Sequence, residues 1–285
     1  MKYIRIFTMI SIRSFVSSSF VEKKVFSDNT RLVFPAGIEG TGHHYFMSIW
    51  DVLDPSIKKP FPFSMYRIDY SMSSNIENYN NVVEESKHNM NVLYDETILD
   101  SPKLVYPHKT YSYPSDHGKD KAFQCPDLRP IAEDAEESGI DLRIIYLKRS
   151  AKDSIISNTD HRQFHMHLGI EEENEEERFM RYIRILFTSI AVLHSQLLEI
   201  DPKFIVCHDF NIINDVDQMG KIANFISPNE EIANDIISIN TDDLKKKNQK
   251  RPKLEVNFEP IIEKNMLLID RLQKKLEAIE DMICE

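Results

Sequence analysis

The chain has 285 residues, of which 41% are apolar, and a formal net charge of −11. This length and apolar content support one large α/β domain or two small ones. The acidic balance argues against nucleic acid as a partner, although an anionic cofactor would depend only on the local charge. The three cysteines, Cys125, Cys207 and Cys284, show neither metal-ligand spacing nor a paired framework, so we expect buried or incidental thiols.

Residues 1–30 are predicted to form an N-terminal extension or a targeting segment. Residues 1–21 contain three basic residues, several serines and no acidic residue, a composition found in signal and transit peptides. The apolar run at 6–12 is much shorter than the roughly 20 residues that a transmembrane helix requires. Export towards the Golgi lumen, import into an organelle and a cytoplasmic location all remain compatible with this segment.

A glycine-rich turn follows the first predicted strand. The apolar run at 32–34 favours a strand, and apolar residues recur at helical spacing from Phe46 to Leu53. Backbone N–H groups in such a turn, with the N-terminus of the next helix, form a cradle for an anion. The residues expected to bind a phosphate group here are Gly37, Gly40, Thr41, Gly42, His43 and His44.

The spacing of this turn is that of a P-loop, but its chemistry differs. Gly37 and Gly42 have the Gly-x4-Gly spacing, whereas His43 and His44 stand where a nucleotide triphosphatase has lysine and serine or threonine. Without the lysine, hydrolysis of ATP or GTP is disfavoured. Phosphate binding by the loop amides remains the prediction.

A second motif begins where another buried strand ends. The run at 142–147 is rich in β-branched residues, Arg149 follows it, and Ser157 comes eight residues later, with Asp153 between them. This pattern resembles that of the P-loop sulfotransferases, which use 3′-phosphoadenosine 5′-phosphosulfate (PAPS). The glycine turn about a hundred residues earlier, and a late strand and helix at 204–225, are similar to the same family.

The resemblance implies a single domain over residues 31–285, with a mainly parallel sheet and helices on both faces, in the P-loop NTPase-like sulfotransferase fold. It also implies PAPS as co-substrate, no metal, and a hydroxyl or amine acceptor on a small molecule or a carbohydrate. The chain departs from the family in two ways. Ile38 stands nearest the place of the loop lysine, and no glycine follows Gly220, where cytosolic members carry a glycine-rich motif. A divergent or carbohydrate-type relative fits this pattern better.

The same resemblance suggests roles for individual residues. The loop amides would hold the 5′-phosphosulfate, while Arg149 and Ser157 would bind the 3′-phosphate. The candidate donors to the leaving group are His43, His44 and Lys109, of which His43, in the first turn of the helix, has the best position. The candidate bases are His108, which follows a short predicted strand at 104–106, and Glu39 within the loop.

Two other functions stay open. The missing lysine favours a catalytically silent nucleotide-binding protein of the same fold, and a P-loop small-molecule kinase is the second alternative. Residues 54–90 and 111–130 are predicted to be irregular, and a long core helix is predicted after 178. The final helix, at 259–283, has apolar residues every seven positions, so it either packs on its own domain or supports weak self-association.

Overall fold

The structure is a computed structural model. It describes residues 30–38, 40–61, 66–71, 84–88, 104–107, 111–117, 122–160, 175–210, 215–227, 229–239 and 259–284. The candidate bases Glu39 and His108 lie outside the described residues, as does the N-terminal extension up to residue 29. No helix of the described residues is both long enough and apolar enough to cross a membrane.

The described residues contain nine strands and eight α-helices. The strands are β1 (Arg31–Ala36), β2 (Lys58–Phe61), β3 (Tyr66–Ser71), β4 (Glu84–His88), β5 (Leu104–Pro107), β6 (Asp116–His117), β7 (Ala122–Pro126), β8 (Asp141–Lys148) and β9 (Ile205–Asp209). The helices are α1 (His43–Val52), α2 (Leu128–Ser138), α3 (Ala151–Asp160), α4 (Glu175–Leu197), α5 (Val216–Ile226), α6 (Glu230–Ser238), α7 (Glu259–Lys264) and α8 (Met266–Ile283).

Five strands form a parallel sheet in the order β2-β5-β1-β8-β9. The first strand is therefore central. After β1 the chain moves to β2 at one edge, and after β8 it moves to β9 at the other edge. The carboxyl ends of β1 and β8 consequently flank a topological switch point, which is where open α/β sheets bind ligands.

Helices cover both faces of this sheet, as predicted. On one face, Val33 and Ile145 share a core with residues of α1, α5 and α6. On the other face, Phe34 and Ile144 pack with residues of α2, α4 and α8. Burial on both sides explains why the runs at 32–34 and 144–147 are continuously apolar rather than alternating.

A second sheet corrects the prediction of irregular structure at 54–90 and 111–130. It is antiparallel, in the order β4-β3-β7-β6, and β2 from the same region joins the parallel sheet. Tyr66, Ile68 and Cys125 are buried in it. Their strands are short, and β3 pairs with β7 more than 50 residues away, as in the register Arg67↔Pro126, so no local pattern revealed the pairing.

Gln196 of α4 ties the region around β7 to the main domain. Its side-chain carbonyl accepts hydrogen bonds from the Tyr113 hydroxyl (2.7 Å) and the Leu128 N–H (3.1 Å), and its amide donates to the Pro126 carbonyl (2.9 Å). The N–H of Tyr113 in turn donates to the carbonyl of Gly37 (2.9 Å). The glycine turn is therefore anchored at its first residue.

The final helix predicted at 259–283 is two helices, α7 and α8, and both pack on their own domain. The seven-residue repeat, predicted as either an intramolecular contact or a self-association face, lies in the core through Ile262, Ile269, Leu272, Leu276, Ile279 and Ile283. The repeat is thus accounted for within the chain, and self-association would have to use other residues.

The expectation of three thiols is wrong for two of the cysteines. Cys207 of β9 and Cys284 at the end of α8 form a disulfide, with Cα atoms 5.5 Å apart and a sequence separation of 77. The fold alone brings such distant residues together, so their spacing carried no signal. Cys125 is a free, buried cysteine, as expected.

Candidate functional site

The turn between β1 and α1 has the backbone shape of an anion cradle. Gly40 and Gly42 have φ values of 89° and 108°, in the region that side chains disfavour. Gly42 is the N-cap of α1, and no side chain of the described residues caps it. The first-turn N–H groups of a helix without such a cap are suited to an anion.

Thr41 shapes the turn from inside. Its hydroxyl donates to the Ile38 carbonyl (2.7 Å), its N–H is 3.2 Å from the same oxygen, and the side chain is buried. We expected this hydroxyl to donate to phosphate. In the structure that proton is used within the loop, so a phosphate contact would require the hydrogen bond to break.

Arg149 joins the two sequence motifs. Its Nη1 donates to the Gly40 carbonyl (2.7 Å), so the arginine that follows β8 contacts the glycine loop that follows β1. The pKa of Arg149 is lowered by burial and raised by the nearby Asp153 carboxylate, yet a guanidinium stays charged. Its Nε is buried without a hydrogen-bond partner among the described residues. This arginine therefore retains donor capacity at the switch point.

Helix α3 touches the loop through residues that the sequence did not reveal. A Cβ on Gly40 would lie 2.5 Å from Nδ2 of Asn158 and 2.6 Å from the carbonyl oxygen of Ser154. Oγ of Ser154 and Oδ1 of Asn158 are both buried and, within the described part of the chain, unpartnered. Ser157, the predicted ligand, is half-buried beside them on the same helix. The sequence signal for this cluster is the i, i+3, i+4 spacing of Ser154, Ser157 and Asn158, which places the three polar residues on one face of the helix.

Phe210 covers the other side of the loop and was also missed. It follows β9, and its ring lies directly against Gly42, where any Cβ would collide with it. The ring centroid is 4.6 Å from Cζ of Arg149, a cation–π distance. An aromatic residue just after a late parallel strand was visible in the sequence, but its contact with a turn 168 residues earlier depends on the strand order.

His43 is expected to be neutral at pH 7. Burial, with a smaller effect of His44, lowers its pKa to about 3, and only 6% of the residue is exposed. Nε2 has no hydrogen-bond partner in the described residues. The predicted donor role is therefore restricted to a neutral imidazole N–H.

The assembled site combines an uncapped helix N-terminus, two glycines in the left-handed region and one charged arginine. Such a set suits a phosphate or sulfate group. No group of three or more possible metal ligands occurs among the described residues.

No protein-family model, curated protein or solved structure matches this chain. The resemblance to P-loop sulfotransferases accordingly rests on the chain's own motifs. The structure adds one direct contact between those motifs, the hydrogen bond from Arg149 to Gly40 of the glycine turn.

His208, next to the site on β9, is expected to make stability depend on pH. It is 1% exposed, neither ring nitrogen has a partner in the described structure, and its ring packs edgewise on Phe46 at 5.5 Å. Burial lowers its pKa to about 4, against a smaller opposing effect of Asp209. Its contribution is therefore complete above the unfolded-state pKa of about 6.5 and is lost as the pH falls from there towards 4.

We expect His208→Phe to flatten this dependence. Between pH 7 and pH 5 the wild-type free energy of unfolding should fall by about 1–2 kcal/mol more than that of the variant. Urea unfolding at both pH values measures the difference. Equal losses in the two proteins would show that the pKa of His208 in the folded state lies near its unfolded-state value, which would contradict this account.

Proposed function

We propose that the chain is a PAPS-dependent sulfotransferase that transfers a sulfuryl group to a hydroxyl or amine of a small molecule or carbohydrate. One observation carries the proposal: the guanidinium of Arg149 lies 2.7 Å from the Gly40 carbonyl. The glycine turn and a charged arginine thus meet at the carboxyl ends of β1 and β8. A nucleotide with phosphates at its 3′ and 5′ positions would span these two places.

The residues available fit such a ligand in part. The N–H groups at the start of α1 would receive the 5′-phosphosulfate, and Arg149 with Ser157 would receive the 3′-phosphate. Arg149 could donate to the 3′-phosphate through its Nε–H, which has no hydrogen-bond partner in the described structure. The contact of Nη1 with Gly40 would fix the orientation of the guanidinium relative to the loop.

Each catalytic role needs a group in a defined protonation state. PAPS, when bound, supplies the sulfuryl group. His108 or Glu39 would accept the proton of the acceptor hydroxyl, which favours attack. Neutral His43 would donate a hydrogen bond to the leaving oxygen, because its lowered pKa prevents it from supplying a positive charge.

A silent binding protein is the second candidate, and specific observations favour it. The loop has no lysine, His43 is neutral, and the Thr41 hydroxyl is engaged with Ile38. Leaving-group stabilisation would then be weak, while the anion cradle would remain. This candidate predicts nucleotide binding without transfer.

Transfer of labelled sulfate from PAPS to a panel of alcohols, amines and carbohydrates separates the candidates. Labelled product would support the sulfotransferase. Binding of adenosine 3′,5′-bisphosphate with no product on any acceptor would support the silent protein. A preference for ATP with Mg²⁺, with phosphorylated product, would instead support the small-molecule kinase.

Arg149→Ala is expected to weaken binding of adenosine 3′,5′-bisphosphate roughly 10- to 100-fold, because a charge-assisted hydrogen bond is worth about 1.5–3 kcal/mol. Binding of adenosine 5′-phosphate, which lacks the 3′-phosphate, should change far less. Calorimetric titration with both nucleotides measures the two affinities.

The matched control for this variant is Arg143→Ala. Arg143 lies near the start of β8, away from the carboxyl end that Arg149 follows, and it pairs with Asp141 at 2.9 Å and stacks over Phe225 at 5.1 Å. The control should leave both affinities unchanged. Equal losses for both nucleotides in Arg149→Ala would contradict the assignment of the 3′-phosphate.

A further inference from the structure

The turn that carries Arg149 is held by helix α8 on both sides of the arginine. Just before it, Nζ of Lys148 pairs with the Glu280 carboxylate at 3.1 Å. Just after it, the N–H of Ala151, at the start of α3, donates to Oε1 of Gln273 at 2.8 Å. Both partners belong to α8, so the position of this helix determines the position of the turn.

The disulfide fastens the end of the same helix to the sheet. Cys284 follows the last turn of α8, and Cys207 lies on β9, three residues before Phe210. Phe210 in turn contacts Gly42 and Arg149. One covalent bond therefore connects α8 to the strand that leads into the site.

The disulfide lies beside an open cavity. Cys207 and Cys284 are both half-buried, and Cys284 lines an open cavity of about 490 Å³. The other lining residues are Lys148, Glu277, Glu280 and Asp281. Three carboxylates against one ammonium make the cavity acidic, which favours a neutral or cationic thiol over an anionic one.

We propose that the Cys207–Cys284 disulfide is a reducible clamp that keeps α8 on the Arg149 turn, and that its reduction weakens anion binding at the glycine loop. The effect of the disulfide on the position of α8 is independent of the proposed function, whereas its effect on anion binding rests on that function.

The chemical step is thiol–disulfide exchange with a neutral dithiol. One thiol of the neutral dithiol loses its proton to water and attacks Sγ of Cys284, a mixed disulfide forms, and Cys207 leaves as a thiolate that takes up a proton from water. The second thiol of the reductant then attacks the mixed disulfide and releases Cys284. The protein disulfide gains two electrons, and the dithiol is oxidised to its own cyclic disulfide.

Hydrogen–deuterium exchange of the full chain, with and without dithiothreitol, tests the clamp. Complete reduction is verified by alkylation of two additional cysteines. We expect faster exchange after reduction at 276–284 and at 148–153, together with a loss of about tenfold in affinity for adenosine 3′,5′-bisphosphate. Cys284→Ser should show the exchange rates and affinity of the reduced protein, and dithiothreitol should not change them. Cys125→Ala keeps the disulfide, so dithiothreitol should change its exchange and affinity as it does in the wild type.

Unchanged exchange at 148–153 in the fully reduced protein would overturn the clamp. Faster exchange there with an unchanged nucleotide affinity would overturn its link to binding. If the oxidised protein binds no nucleotide at all, the proposed function fails. The exchange rates at 148–153 still test the clamp in that case, because they do not depend on nucleotide binding.

Discussion

Replacing His108 by alanine is expected to lower the rate of sulfuryl transfer about 10²–10⁴-fold, the typical cost of removing a general base, while nucleotide affinity is preserved. The expectation has a topological reason. His108 follows β5, which lies beside β1 on the side opposite β8. The carboxyl ends of β5 and β8 therefore flank the glycine loop, and the acceptor would approach from the β5 side, away from Arg149.

Steady-state transfer assays and calorimetric titration on the same preparations measure the two quantities. His43→Ala should lower both transfer and affinity, because His43 begins the helix beside the loop. His88→Ala, on β4 of the antiparallel sheet, is the control and should change neither. An active His108→Ala with an inactive Glu39→Gln would assign the base to Glu39 and favour the carbohydrate-type enzyme.

Gly40→Ala is expected to destabilise the protein by about 2–5 kcal/mol, from backbone strain and from overpacking against α3. The added methyl would require φ near 89° and would lie 2.6 Å from the Ser154 carbonyl oxygen. Because that oxygen belongs to the helix backbone, it cannot move aside as the end of a flexible side chain can. The loop and α3 would have to separate.

Substitutions at two other glycines separate the contribution of backbone strain from that of overpacking. Gly139 has φ +69°, and a Cβ there would meet no atom of the described structure within 4 Å, so Gly139→Ala should cost only the backbone strain of about 1–2 kcal/mol. Gly220 lies within α5 with equally open surroundings, so Gly220→Ala should stabilise by about 0.5–1 kcal/mol. Urea unfolding measures the series, and a Gly40→Ala as stable as Gly139→Ala would contradict the close packing of loop and α3.

The parallel layer could be predicted because its signals are local. β1 and β8 each contain a continuous apolar run, at 32–34 and 144–147, and the helical repeat of α1 follows the glycine turn. The contact between Arg149 and the loop followed from a general rule, since residues after neighbouring parallel strands meet at one edge.

The missed features depend on contacts between distant segments. The strands of the antiparallel sheet are short and partly polar, and their pairing is decided by partners far along the chain. Ser154, Asn158 and Phe210 became part of the site only through packing of α3 and β9 on the loop. The disulfide likewise required the docking of α8 before its two cysteines could be matched.

The central claim is that the glycine loop and Arg149 form one nucleotide site. A crystal structure of the chain with adenosine 3′,5′-bisphosphate tests it most directly. The account predicts the 5′-phosphate at the N–H groups that begin α1 and the 3′-phosphate within hydrogen-bonding distance of Arg149. A nucleotide bound elsewhere, or a 3′-phosphate that points away from Arg149 with the loop amides unoccupied, would contradict it.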